Sequence, residues 1–356
     1  MKAKAAELIK ALTGFKNILI FIKGSPDPDA IASSFVIKVI CDFYGIKSHI
    51  IAQQKLSLSQ NKLFVKKLNI PLKITSIFPS EKYDAYVVLD HQSAKVTGMP
   101  DIPCAVHIDH HEKIKEDVEP IFSILSDKVG ATSTIIGLLF KEMDIDLKPA
   151  IISDIATALV YGLQTDTDKY EHCTKLDYEA LRFLSAKADN ELISKLSGLP
   201  MSETTSNLLD KAVTDHIIYK EWLIAGVEYI DESSRDSIAI IADFLLRREK
   251  FPVVFVFAII KHKNNPKLVL DSSVRTDNIS IDLNRIIKSI TSTGGARKFK
   301  GAFQIDLDFF DYYHDKQALW DMVSATAIEA IKSQRDRQLG PTLRGFLQKL
   351  TGGFIK

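Results

Sequence analysis

Four short segments of this chain bring together side chains that bind cations. Two aspartates flank a proline in Lys23-Gly24-Ser25-Pro26-Asp27-Pro28-Asp29-Ala30. Asp90 stands alone after an apolar run. Asp109-His110-His111 sets a carboxylate beside two imidazoles. Asp166 and Asp168 sit in Gly162-Leu163-Gln164-Thr165-Asp166-Thr167-Asp168, with Asp166 the candidate ligand and Asp168 read as solvated. Oxygen-rich ligand sets with one or two imidazoles suit manganese or magnesium better than structural zinc. Several carboxylates in one cleft repel each other unless a divalent cation neutralises them. Plainer readings stand beside this one: Asp29 is placed to cap a helix, and Asp90 alone could be an ordinary loop residue. Pro28 fixes its own φ and disfavours helix at Asp27, which stiffens the turn.

The elements that must position these residues are legible in the hydrophobic pattern. Residues 18–22, 49–52, 85–89 and 104–108 read as buried strands, and Ala30 to Tyr44 reads as a helix stopped by Gly45. Helices are expected over about 130–143, 149–163 and 175–188. Strands alternating with helices imply crossover units, an α/β fold and a mostly parallel sheet flanked by helices. In such sheets ligands collect beyond the carboxyl ends of the strands, where three of the four acidic segments fall.

Beyond Asp189 the pattern changes to polar helical stretches with no strand, read as a helical linker over 191–221. A second, smaller mixed α/β unit is expected over 222–335. Its strands are 223–230, 252–260 and 267–274, and its helices 235–247 and about 280–289. Asn264-Asn265-Pro266 is expected to turn a hairpin. Residues 336–356 read as a basic tail, a solvated helix end or a contact for phosphate or a partner. With 356 residues, 46% of them hydrophobic and 26% charged, the chain has material for two cores. Its 46 Lys+Arg against 45 Asp+Glu give a net charge of +1. That excludes a global drive toward nucleic acid or anionic membrane. Cys41, Cys104 and Cys173 are odd in number and form no CxxC pair, so a disulfide framework and a thiolate zinc site are not expected. Free thiols in a reducing cytoplasm fit instead. The N-terminus shows no signal-peptide pattern, and no apolar run is long enough to span a bilayer.

The order of the four segments resembles the DHH phosphoesterase superfamily, which includes RecJ-like exonucleases, nano-RNases, exopolyphosphatases and family II pyrophosphatases. The segments that carry the resemblance are Pro26-Asp27-Pro28-Asp29-Ala30, Asp90, Asp109-His110-His111 and Thr165-Asp166-Thr167. The resemblance implies a two-metal site in which Asp90 bridges the ions, Asp27 holds one, and Asp29, His110 and Asp166 hold the other. It implies that His111 faces the substrate phosphate. In the second unit, Gly294-Gly295-Ala296-Arg297-Lys298-Phe299-Lys300 is similar to the glycine-rich GGH motif of the DHHA1 substrate-binding domain. Glycines there would let backbone N–H groups approach a phosphate, with Arg297 and Lys300 adding positive charge. Arg275 occupies the place of an arginine that this domain offers to substrate. The SRKK-type sequence of the pyrophosphatase branch is not found.

Two positions depart from the family pattern. Lys23 stands where the first motif carries a metal-binding histidine, and an ammonium has no lone pair to offer. Lys23 is therefore expected to replace one ion electrostatically by pairing with Asp27 and Asp90, or else to point to solvent. Ala296 stands where the glycine motif carries histidine. The expected function is hydrolysis of a phosphate ester, a short single-stranded oligonucleotide or a nucleotide bisphosphate, in a cleft between the two domains. Asp90, His111 and Lys23 would act on the reacting phosphate, with one or two Mn2+ or Mg2+ ions. Arg275, Gly294, Gly295, Arg297 and Lys300 would hold the far end of the substrate. The alternative is a catalytically degenerate protein that binds nucleotide or polyphosphate as a sensor or partner. A homodimer is compatible with either.

Overall fold

The computed structural model describes residues 1–56, 58–75, 83–111, 118–261 and 267–351. The chain forms two units, Met1–Pro200 and Met201–Lys356. In the first, the elements run α1 (Lys2–Thr13), β1 (Asn17–Ile22), α2 (Pro28–Phe43), β2 (Lys47–Ala52), α3 (Ser59–Lys67), β3 (Leu72–Ile74), β4 (Ala85–Leu89), β5 (Cys104–Asp109), β6 (Phe122–Leu125), α4 (Thr132–Lys141), α5 (Pro149–Asp166), α6 (Lys175–Leu184) and α7 (Asn190–Ser197).

The six strands form one sheet in the order β3-β2-β1-β4-β5-β6, with every pairing parallel. Strand order reverses between β1 and β4, and the crevice beyond the carboxyl ends at such a reversal is where open α/β sheets bind ligands. The run Ile18-Leu19-Ile20-Phe21-Ile22 is buried on both faces, as a central parallel strand must be. Ile18, Ile20 and Ile22 pack with Ile31 and Val36 of α2 and Leu159 and Leu163 of α5. Leu19 and Phe21 pack on the other face with Tyr86 and Val88. Helix α2 begins at Pro28, whose missing N–H costs nothing in the first turn, and Asp27 caps it by accepting from Ala30 N at 2.9 Å.

The second unit runs α8 (Glu203–Asp215), β7 (Ile217–Tyr219), β8 (Trp222–Asp231), α9 (Ser237–Glu249), β9 (Val253–Lys261), β10 (Leu268–Arg275), α10 (Leu283–Ile290), β11 (Gly294–Ala296), β12 (Lys300–Asp306) and α11 (Lys316–Thr351). Its sheet has the order β11-β12-β10-β9-β8-β7. Only β8 and β9 pair in parallel, through the α9 crossover; the other pairings are antiparallel. One face packs against α10 and α11 through Phe255, Phe257, Ile287 and Trp320, and the other against α9 through Ile241 and Leu245.

The stretch expected to lack strands, Asp189 to Glu221, contains β7 at the sheet edge. Lys220 and Glu221 turn the β7–β8 hairpin in the left-handed region, φ 44° and 71°. Asn and Gly usually take such positions and supply the sequence signal. The presumed glycine loop is β11, a turn and β12. Of the expected tail 336–356, residues 336–351 are part of α11, and the rest lie outside the described residues. Asn264-Asn265-Pro266 lies outside the described residues. Among the described residues no helix is long and apolar enough to cross a membrane.

Candidate metal centre

Asp29, Asp90, His110 and Asp166 converge. One ligand atom from each lies within 4.8 Å of the others, and a second overlapping group joins Asp90, His110 and His111. The elements explain the meeting. Asp29 is in the first turn of α2, at the head of the helix that follows β1. Asp90 directly follows β4 and adopts φ 55°, a left-handed conformation that aspartate tolerates better than most residues. His110 and His111 directly follow β5. Asp166 ends α5, and Gly162, one turn earlier, lets that helix approach α2. A Cβ at Gly162 would lie 2.5 Å from Ser133 Oγ and 3.1 Å from Asp29 Cα.

Asp29, Asp90 and His110 are held by partners that the motifs do not reveal. Both Asp29 oxygens accept backbone N–H groups at the head of α4, from Thr132 and Ser133, each at 2.7 Å. Thr132 Oγ1 donates to Asp90 Oδ1 at 3.1 Å. Asp177 fixes the segment ahead of α4, accepting from Gly130 N, Thr134 Oγ1 and Thr174 N. Asn61 Nδ2 donates to the Pro26 carbonyl at 3.2 Å and braces the first motif from α3.

The electrostatics call for a cation. Burial, then the Asp166 charge, push the Asp29 carboxyl up to about 7, although the two N–H donors favour its ionised form. His110 Nδ1 lies 3.4 Å from the Val129 carbonyl, and its Nε2 lies 2.8 Å from Asp166 Oδ2 and 3.4 Å from Asp90 Oδ1. A neutral imidazole carries one N–H, so oxygens on both sides demand either a second proton or a cation beside Nε2. Spacings of this size match the edge of an octahedron, about 3 Å for ligands about 2.1 Å from the ion. Three carboxylates and one imidazole therefore fit manganese or magnesium.

The other first-unit residues take different positions. Asp27 is outside both ligand groups and caps α2. His111 Nδ1 contacts Asp109 Oδ1 at 2.5 Å and stands 4.0 Å from Asp90 Oδ1. Lys23 Nζ donates to the carbonyls of Ser93 and Lys95, at 3.1 and 2.6 Å, fastening the end of β1 to the segment after β4. No sequence motif marks His91. Burial, then the Lys23 charge, hold it down at about 4, so it is neutral at pH 7.

In the second unit, Arg275 is 7% exposed. Its Nε donates to Asp243 Oδ1 at 2.6 Å, and it pairs across the sheet with Lys300. Burial opposes the Asp243 charge, but Arg275 and Lys300 outweigh it and hold the carboxyl below the usual range. Gly294 has φ 157°, and a Cβ there would meet Phe303 at 2.5 Å, so the glycine serves close strand pairing. Gly295 pairs with Ala302 and Ala296 with Gly301. Arg297 N donates to the Lys300 carbonyl at 2.7 Å, closing the turn.

Residues 17–163 match the model of the DHH family, N-terminal domain. An uncharacterized protein of Methanocaldococcus jannaschii is 30% identical over 319 residues, which are 89% of this chain and 63% of that protein. A probable manganese-dependent inorganic pyrophosphatase of Bacillus licheniformis is 23% identical over 203 residues, 55% of this chain and 63% of that protein. This chain thus spans 63% of the length of each of these relatives. The fold is that of an exopolyphosphatase-related protein of Bacteroides fragilis, with a TM-score of 0.70 at 17% identity over 96% of this chain and 98% of that one.

Proposed function

From the premise that the chain carries a DHH-family domain, we propose that it is a metal-dependent phosphoesterase acting on a short oligonucleotide or a nucleotide bisphosphate. The convergence of Asp29, Asp90, His110 and Asp166 supports this reading most strongly. These four residues would hold the ion, which would supply Lewis-acid polarisation of a phosphoryl oxygen. Thr132 orients Asp90, and the Val129 carbonyl orients His110. His111, with Nδ1–H donated to Asp109, would exchange a proton with the phosphate. Lys23 brings positive charge to the end of β1 for the substrate's phosphates.

A second reading is a protein that binds nucleotide or polyphosphate without turning it over. It draws support from Lys23, an ammonium fixed to two carbonyls where the family motif supplies a metal ligand. Manganese-dependent hydrolysis of bis-p-nitrophenyl phosphate and short RNA separates the two. The phosphoesterase reading expects turnover that Asp90→Asn lowers by at least about 100-fold, since losing even an outer partner of a ligand can cost that much. Tight nucleotide binding with no turnover would establish the second reading.

A further inference from the structure

The second unit has a cavity of about 250 Å³ at the end of β10 opposite Arg275, lined by Tyr229, Lys261, Lys267, Asp311, Tyr313 and Lys316 and walled by Leu268 and Leu319. β10 has eight residues, which puts Leu268 about 23 Å from Arg275. We propose that this cavity binds a phosphoryl group between the ammonium groups of Lys261 and Lys316.

The cavity walls are fixed. Tyr229 Oη donates to the Lys316 carbonyl at 2.9 Å, and Lys261 Nζ lies 5.3 Å over the Tyr229 ring. Three of the carboxylates nearby have partners, while Asp231 and Asp306 act on Lys261 and Lys267. Asp308 pairs with Lys267 at 2.5 Å, Asp311 accepts from Leu268 N at 3.1 Å, and Asp315 accepts from Ala318 N at 3.0 Å. Lys261 and Lys316 approach each other, and the approach of Lys316 holds Lys261 below the ordinary lysine range; burial adds to this, and only the Asp231 charge opposes it, weakly. Two cations facing one cavity are a standing repulsion that a multivalent anion removes. With a water's share of about 30 Å³, the volume admits a phosphoryl group and part of an ester. Tyr313, half-exposed at the rim, offers a ring face to a base. The phosphoryl group could therefore be free or carried on a nucleotide.

The test is calorimetric titration of the full chain with inorganic phosphate, pyrophosphate and adenosine monophosphate, in chelator so that the metal centre is silent. A saturable site is expected, over and above any binding at the first unit's phosphate-binding groups. Lys261→Gln and Lys316→Gln should each weaken it about tenfold or more and abolish the rise in melting temperature caused by pyrophosphate, without lowering the melting temperature of the anion-free protein. Asp90→Asn should leave the site unchanged. If Tyr313→Ala weakens only adenosine monophosphate, a nucleotide carries the group; if it weakens none, the group is free. Absence of binding at millimolar concentration, or affinity unchanged in both lysine variants, would overturn the assignment.

Discussion

Thr132 donates one hydrogen bond from its hydroxyl to Asp90 and another from its backbone N–H to Asp29, so one residue orients two ligands. Thr132→Val removes only the first contact at nearly constant shape. It should weaken manganese binding by about 10–100-fold while leaving the secondary structure intact, as a metal titration and circular dichroism would show. Asp29 sets the pH dependence. Its pKa of about 7 lies above the ordinary 3.8. Between these values the metal-free fold keeps a proton that the unfolded chain has released. The stabilisation from this group is therefore complete below 3.8 and is lost as pH rises through 7. An ion must displace that proton. Manganese affinity should then fall as pH drops below 7, with up to one proton released per ion at pH 6, measured by calorimetry in buffers of different ionisation enthalpy. The left-handed backbone at Asp90 decides how the site should be emptied: asparagine suits φ 55°, whereas valine would add backbone strain to the lost carboxylate.

At the level of elements, the contact between α2 and α5 matters most. Gly162→Ala pushes a methyl group toward Ser133 and the Asp29 backbone. It should cost about 1–3 kcal/mol in urea unfolding and weaken manganese binding by moving Asp166. Loss of neither would show that the helices part without consequence. The strands that set the site were readable because β1, β4 and β5 are buried runs of β-branched and aliphatic residues closed by polar motifs. Several elements were not readable: α1, α3, β3 and β6 carry no signal picked out above, and β7, β11 and β12 each have a particular cause. β7 turns through Lys220-Glu221 without a glycine. β11 and β12 were obscured because their glycines look like a phosphate loop when seen one-dimensionally, whereas Gly294 and Gly301 face Phe303 and Ala296 across a strand pair. The chemistry-bearing residues of the site were readable by type, but Thr132, Ser133, Asp177 and Asn61 act through hydrogen bonds to residues distant in sequence, and nothing local marks them.

At the scale of the whole molecule, the ligands all belong to Met1–Pro200, and the second unit has its own core. Manganese at about 100 times its dissociation constant should add about 2.7 kcal/mol to the unit that binds it. In calorimetry the ion should raise the melting transition of the first unit, and Asp90→Asn should cancel that rise. A shift in which Asp90→Asn behaves like the natural protein would place the ion elsewhere. The all-parallel order β3-β2-β1-β4-β5-β6 carries one more consequence, a matter of timing. Its ligands come from positions 29, 90, 110 and 166, so no early fragment of the growing chain possesses a complete cage. Capture of the ion must wait until α5 has been synthesised and docked. Undocking of that helix would remove Asp166 from the cage, so release of the ion and opening of α5 should be linked.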